Sequence, residues 1–371
     1  MLRAGGLRWA AIASAAMIAF VSACAPAAPS STSPAPPKPA TPIAAASQQA
    51  AGEARGSPPT PAPPQVVRFA DVPSIALAPL YVALEKGYFV GEGLDVQLEP
   101  VAGGADAVAM LGTGQLDANA GAVSAGTLNA VQRGVDLRIV APMSFLPQTG
   151  GASPLLVRKD LADRVRTVAD MRGRKVAINV RGAANEYLLT KALAQGGLTL
   201  GDVELTILPF PDVPQALAQG AVDFALPAEP FATRAVAAGG AEVFVESIAP
   251  GLMNTVVFFG GPFYRERPVA AQGFVVGLMR AARDLQGDAA KDDEHLRIIA
   301  RYTRVSEDVL RASVFNAWDP DLTIRKDDLM DQQLVHIQHG RTELAEPIPV
   351  DRLVDERFQA AALQRLGPAR R

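Results

Sequence analysis

Cys24 is the only cysteine in the 371 residues, and it closes the run Val21-Ser22-Ala23-Cys24 after an apolar stretch from Trp9 to Val21. With no second cysteine a disulfide within the chain is impossible, and the thiol needs another explanation. The loop Arg181-Gly182-Ala183-Ala184-Asn185 lies between a predicted strand ending at Asn179 and a predicted helix. A helix start presents free N–H donors and a positive dipole end, which suit an anionic or carbonyl group. Gly103-Gly104-Ala105 also precedes a helix, and residues that small let backbone N–H groups approach a ligand oxygen. His336 and His339, three apart on a predicted helix, have the spacing to share a metal. No third ligand lies near them in sequence, so the expectation is a solvated helix face and no metal. Asp292-Asp293-Glu294 reads as a favourably charged helix start, not as a catalytic pair. There is no Gly-x-Ser-x-Gly elbow, phosphate-loop signature or His-Glu-x-x-His helix. The expectation is a protein that is not an enzyme and carries no cofactor.

The segments around these residues divide the chain. Arg3 and Arg8 give residues 1–23 the positive start of a secretory signal, too short and wrongly flanked for a stable membrane span. Val21 to Cys24 resembles a bacterial lipobox; the alternative is an ordinary signal with a chance cysteine at its end. The first reading places the protein outside the cytoplasm, lipid-anchored in the periplasm or on the cell surface. Residues 24–65 are built from Pro, Ala, Ser and Thr with Lys38, Glu53 and Arg55 as the only charges. Such a segment cannot bury enough apolar surface to offset its ordering entropy, and reads as a disordered spacer with polyproline character. Net charge falls from −3 to about −5 once Arg3 and Arg8 leave with the signal. With no basic run carrying interleaved aromatics, nucleic acid is not expected as a partner.

From Val66 onward, strands and helices alternate. Strands are predicted at 66–70, 94–98, 118–120, 137–142, 175–179, 204–208 and 222–225, with helices between them, which argues for βαβ units and a mainly parallel sheet. After Phe263 the pattern turns helical, at 270–285, 293–303, 306–312 and 325–339. An internal echo runs through the alternating part. Asp106, Leu111, Gly114 and Asp117 recur as Asp212, Leu217, Gly220 and Asp223, each 106 positions later. The repeat is either two generic αβ turns or two similar lobes that offer equivalent strand ends to a shared cleft, where open α/β sheets bind ligands.

Pro79 to Phe89, followed by Glu92-Gly93-Leu94-Asp95-Val96, resembles the opening of the type II solute-binding proteins of ABC importers that carry sulfonates, taurine, nitrate or thiamine-type pyrimidines. Further matches follow in order: Gly103-Gly104-Ala105, Leu111 to Ala120, Val168 to Val176, Gly182 to Leu188, Glu229-Pro230-Phe231 and Leu353-Val354-Asp355. The resemblance implies an α/β fold of two lobes joined by two crossing strands, with a ligand cleft between them. Lobe 1 would be residues 66–150 and 251–371, lobe 2 residues 151–250, and the crossings would fall near Gly151–Leu156 and Ala249–Val256. It implies capture of a small molecule by lobe closure and delivery to an ABC permease and its ATPase, by a monomer. It also implies a ligand site at Ser74, Ile75, Gly103, Gly104, Ala105, Gly121, Ala122, Ser124 and Met143 from the first lobe. The second lobe would add Arg181, Gly182, Ala183, Ala184, Asn185, Glu229 and Pro230.

Several of these have a plainer reading. Arg181 is also explicable as a solvated charge, Glu229 as a partner for a backbone amide or an arginine, and Ser124 as a helix cap. Asp117 and Asp223 read as residues that cap or end local structure. The family often places tryptophan just before the Glu-Pro pair. Here Ala228 stands there, and Trp318 is the only tryptophan after the signal, which implies a wider cleft or a bulkier ligand. Relatives that make the thiamine pyrimidine need a cluster of cysteines, which this chain lacks. A binding module that reports to a membrane sensor would share the same sequence features.

Overall fold

The computed structural model describes residues 63–101 and 104–370, with backbone alone at 104–106. The signal, Cys24, most of the spacer and Gly103 lie outside the described residues. Among the described residues ten strands form two five-stranded sheets. The first contains β1 (Gln65–Asp71), β2 (Leu94–Pro100), β3 (Ala118–Gly121), β4 (Leu137–Phe145) and β10 (Met253–Gly260). The second contains β5 (Leu155–Arg158), β6 (Lys175–Ile178), β7 (Glu204–Ile207), β8 (Phe224–Ala225) and β9 (Ala241–Val245).

The orders β2-β1-β3-β10-β4 and β7-β6-β8-β5-β9 are equivalent. In each sheet three parallel strands are followed by one that runs against its neighbours. That reversed strand, β5 or β10, is the one that has just arrived from the other sheet. Both sheets are therefore mixed, which corrects the mainly parallel expectation. Strand β9 was not predicted, and β5 and β10 were expected only as the crossing strands near Gly151–Leu156 and Ala249–Val256. All eight residues of β10 are buried, so it lacks the in–out alternation by which a half-buried strand is recognised.

The two connections, residues 146–154 and 246–252, run side by side. Leu146 N–H donates to Leu252 O at 2.8 Å, and Gly251 N–H donates to Leu146 O at 3.1 Å. Their approach is close enough to require glycine at 151, where a Cβ would sit 1.7 Å from the carbonyl oxygen of Glu246. A side chain here would force the two connections apart.

Each sheet has its own apolar core. Phe69 of β1 stacks on Phe274 of the helix Pro268–Asp284, with centroids 5.8 Å apart, and Phe89 packs on the same ring at 4.9 Å. The C-terminal helices pack mainly on the first sheet. The helix Lys326–Gln338 also reaches the second: Val335 joins its core, and Asp331 pairs with Tyr187 and Lys191 of the helix Ala184–Gln195. Among the described residues no helix is long and apolar enough to cross a membrane.

Candidate functional site

A cleft of about 600 Å³ opens between the two sheets at the carboxyl ends of their strands. Parallel strands leave their C-terminal ends on one edge, where each loop turns into the next helix, so small residues and helix starts collect there. The first lobe contributes Ser74 after β1, Gly121 and Ala122 at the end of β3, and Ser124. Ser124 caps the helix Ala125–Gln132, its Oγ accepting from the Thr127 amide at 3.1 Å, so one residue caps and lines at once. The second lobe contributes Ala183, Ala184 and Asn185 at the start of the helix Ala184–Gln195, and Glu229 after β8. No side chain caps that helix start, which leaves its first amides without intrahelical partners beside the cleft. Asn185 is held by donation from its Nδ2 to Leu226 O.

Among the described residues, Ile75, Met143, Pro230, Arg181 and Gly182 lie off the cleft lining. Ile75 and Met143 belong to the first core, 0 % and 2 % exposed. Gly104 and Ala105 open the helix Gly104–Thr113. Pro230 is buried under the start of the helix Phe231–Ala237. Arg181 is exposed and off the cleft lining, its Nη2 3.5 Å from Leu205 O on β7. Its neighbour Gly182, at φ +66°, turns the chain so that the carbonyl of Gly182, not the guanidinium, faces the first lobe.

Glu229 is 4 % exposed, with Oε2 accepting from the Thr233 amide at 3.0 Å and Oε1 from the Thr233 hydroxyl at 2.8 Å. Burial pushes its carboxyl above the ordinary value, and these hydrogen bonds pull the other way. At the base of the cleft, Ser144 Oγ donates to Asn254 Oδ1 at 3.2 Å. Asn119 and Asn179 add amide groups whose Oδ1 atoms are buried without a partner.

Other lining residues were missed in the sequence. They include Phe210, Phe231 and Arg234 from the second lobe, and Tyr302 and Arg304 from the end of the helix Asp293–Thr303. The available signal was Phe231-Ala232-Thr233-Arg234, a three-residue helical spacing directly after Glu-Pro that puts ring and cation on one face. Ala228 does line the cleft, and Trp318 is in the first core, with Nε1 donating to Ala76 O at 3.3 Å. His336 is not on a solvated face. It is 2 % exposed, with Nε2 3.1 Å from Val123 O, and burial lowers its pKa. Among the described residues no group of acidic, histidine or cysteine side chains is arranged to hold a metal.

Two similar α/β sheets joined by paired connections, with a cleft at their strand ends, define a two-lobed periplasmic-binding-protein fold. Residues 60–300 match the model of the NMT1-like family, and the chain belongs to that family. A protein of Escherichia coli (strain K12) named for binding aliphatic sulfonates is 29% identical over 117 residues. That match covers 32% of this chain and spans about a third of the relative, 36% of its length. The periplasmic nitrate-binding protein NrtA from Synechocystis PCC 6803 superposes with a TM-score of 0.69 at 15% identity, covering 82% of this chain and 89% of that one. The alkanesulfonate-binding protein SsuA from Xanthomonas axonopodis pv. citri, bound to MOPS, gives 0.63 at 20% identity, covering 81% and 99%. The desulfurization enzyme DSZB shares the frame at 0.56 and 20% identity, covering 81% and 99%.

Proposed function

We propose that this chain is an extracytoplasmic solute-binding protein, lipid-anchored through Cys24, that captures a small molecule by closing its lobes and delivers it to an ABC permease and its ATPase. The observation that carries the reading is the 600 Å³ cleft at the strand ends of two lobes joined by paired connections. Its volume is in the range of sites that enclose an organic ligand, and its walls join small residues and a helix start to a few polar groups. Residues 66–150 and 251–371 then act as one lobe and 151–250 as the other, with 24–65 as the spacer above the membrane. Ser74, Gly121, Ala122, Ser124, Ala183, Ala184, Asn185 and Glu229 are the contacts proposed from the expected set. The protein acts as a monomer, and the ligand leaves unchanged. The relatives named for sulfonates and nitrate support an anionic solute.

The test is a melting screen of the full chain against nitrate, taurine, ethanesulfonate, arenesulfonates and pyrimidines. A ligand at 100 times its Kd adds about 2.7 kcal/mol of stability. DSZB has the same frame, so each hit is recovered and checked by mass. A panel that leaves the melt unmoved, or a hit converted to product, sinks the binding-protein reading. The anchor is tested separately: Cys24→Ser should release the protein from membranes or leave it unprocessed.

A further inference from the structure

Arg234 and Arg304 reach the cleft from opposite lobes, and the packing of the fold explains neither. Both are exposed lining residues, and neither takes part in the ion pairs formed among the described residues. Arg304 caps the helix Asp293–Thr303 at φ +58° and ψ +33°, its amide donating to Ala300 O at 3.0 Å. Glycine adopts that left-handed conformation without strain and arginine does not. The backbone bond would survive with glycine, so the cap itself does not call for the guanidinium. A strained residue in a cleft is a pointer to function.

Arg234 belongs to an aromatic face. It lies three residues after Phe231 on the helix Phe231–Ala237, and the Phe231 ring stacks on half-buried Phe210 with centroids 6.2 Å apart and planes at 30°. Among the described residues Glu229 is the only acidic residue in the lining, and each of its oxygens accepts from Thr233. The cleft, at about 600 Å³, has room for an aryl body.

We propose that the cleft selects an aromatic organic anion, a carboxylate or sulfonate on an aryl body, with Arg234 and Arg304 drawing and holding its acidic group and the Phe210–Phe231 pair holding the ring. The proposal rests on the solute-binding reading above and narrows it to one substrate class.

The experiment is calorimetric titration of the full chain with naphthalene-2-sulfonate, naphthalene-2-carboxylate, neutral naphthalene-2-sulfonamide, ethanesulfonate and taurine. The two aryl anions should bind at least about tenfold tighter than the other three, because a charged hydrogen bond or a buried ring each contributes at that scale. Arg234→Gln should weaken the aryl anions roughly tenfold and leave the sulfonamide unchanged. Arg304→Gly should weaken them similarly while raising the Tm by about 1–3 °C, since it relieves backbone strain. A residue kept only for structure would not give those opposite signs. The proposal is overturned if taurine or ethanesulfonate binds as tightly as the aryl anions, if the sulfonamide matches them, or if neither arginine variant changes affinity; solute capture stands in each case. If no probe binds, the aromatic-anion proposal fails alone when the wider screen yields a ligand. It fails together with solute capture when that screen is also silent.

Discussion

The amide of Ala125, at the start of a first-lobe helix, donates to the carbonyl oxygen of Gly182 in the second lobe across 2.7 Å. This bond bridges the cleft rim, and Gly182 has the φ of +66° that brings its carbonyl round. A Cβ at 182 would lie 3.0 Å from the Ala125 Cβ, tighter than ordinary packing. Asparagine tolerates the left-handed backbone, so Gly182→Asn adds the crowding with little backbone strain. Hydrogen exchange at the Ala125 amide should accelerate at least about tenfold in this variant, with global stability within about 0.5 kcal/mol. An unchanged exchange rate would mean that the contact is not held in solution.

Glu229 joins site and fold, and its titration separates the two. Its folded pKa is raised above 4.5 by burial, so the folded state holds its proton more tightly than the unfolded chain. The sign follows: this contribution is largest at low pH and declines as pH rises from about 4.5 through the folded pKa. Melts of Glu229→Gln across that window should lack this decline. Glu229→Ala leaves the Thr233 amide and hydroxyl without their acceptor and should cost about 2 kcal/mol by urea unfolding. A cost near zero would show that Thr233 finds water instead.

Much of this fold was legible because its signals are local. The echo at 106 residues anticipated Gly114 and Gly220, which end their helices at φ +73° and +72°. Of its two readings, two generic turns or two similar lobes, the second agrees with the two sheets of equivalent order. The lipid anchor and the spacer fall outside the described residues and stay expectations. What could not be read was whatever depends on direction. Arg181 has the sequence position of a cleft cation, yet the turn at Gly182 points it outward, and no one-dimensional pattern carries that turn's sense. Arg304 follows a helix with no glycine to mark the cap, and it becomes a lining residue only because the C-terminal helices fold back over the first sheet. His336 had the exposed spacing of a helix surface, but the helix Lys326–Gln338 is covered on both sides, by one lobe each.

That covering gives His336 a pH dependence of the opposite sign to Glu229. The groups around it are the Val123 carbonyl, Glu186, Arg341 and His339, and burial dominates, holding its pKa below 6.5. The unfolded chain therefore binds the proton first as pH falls below about 6.5, and stability is lost from there down to the folded pKa. Circular-dichroism melts between pH 7.5 and 5 should show this loss in the native chain and a flatter profile in His336→Gln. Parallel profiles for the two proteins would remove His336 as the source.

The echoed aspartates make the last case, because identical roles sit in unequal surroundings. Asp117 accepts from the Arg68 amide at 2.8 Å, and Asp223 from the Lys175 amide at 3.1 Å; each ties the start of its strand to the strand beside it. Asp117 also pairs with Arg267, with its side chain 5 % exposed, and Arg267 donates to Val66 O at 2.7 Å. Asp223 is 17 % exposed and lies 3.5 Å from Arg158, whose guanidinium also serves Asp160. Removing Asp117 leaves the Arg68 amide without its acceptor in a more buried place than Asp223 occupies, and leaves Arg267, 33 % exposed, without its partner; a partly exposed pair is worth at most about 1 kcal/mol beyond the amide bond. Asp117→Ala should therefore lower stability by about 2–3 kcal/mol in urea unfolding, and Asp223→Ala by about 1–2 kcal/mol. Adding Arg267→Met to Asp117→Ala should recover part of the loss, since the stranded cation is then gone. Equal costs at the two aspartates, or no recovery in the double variant, would show that the amide tie alone fixes their contribution and that the Arg267 pair adds nothing.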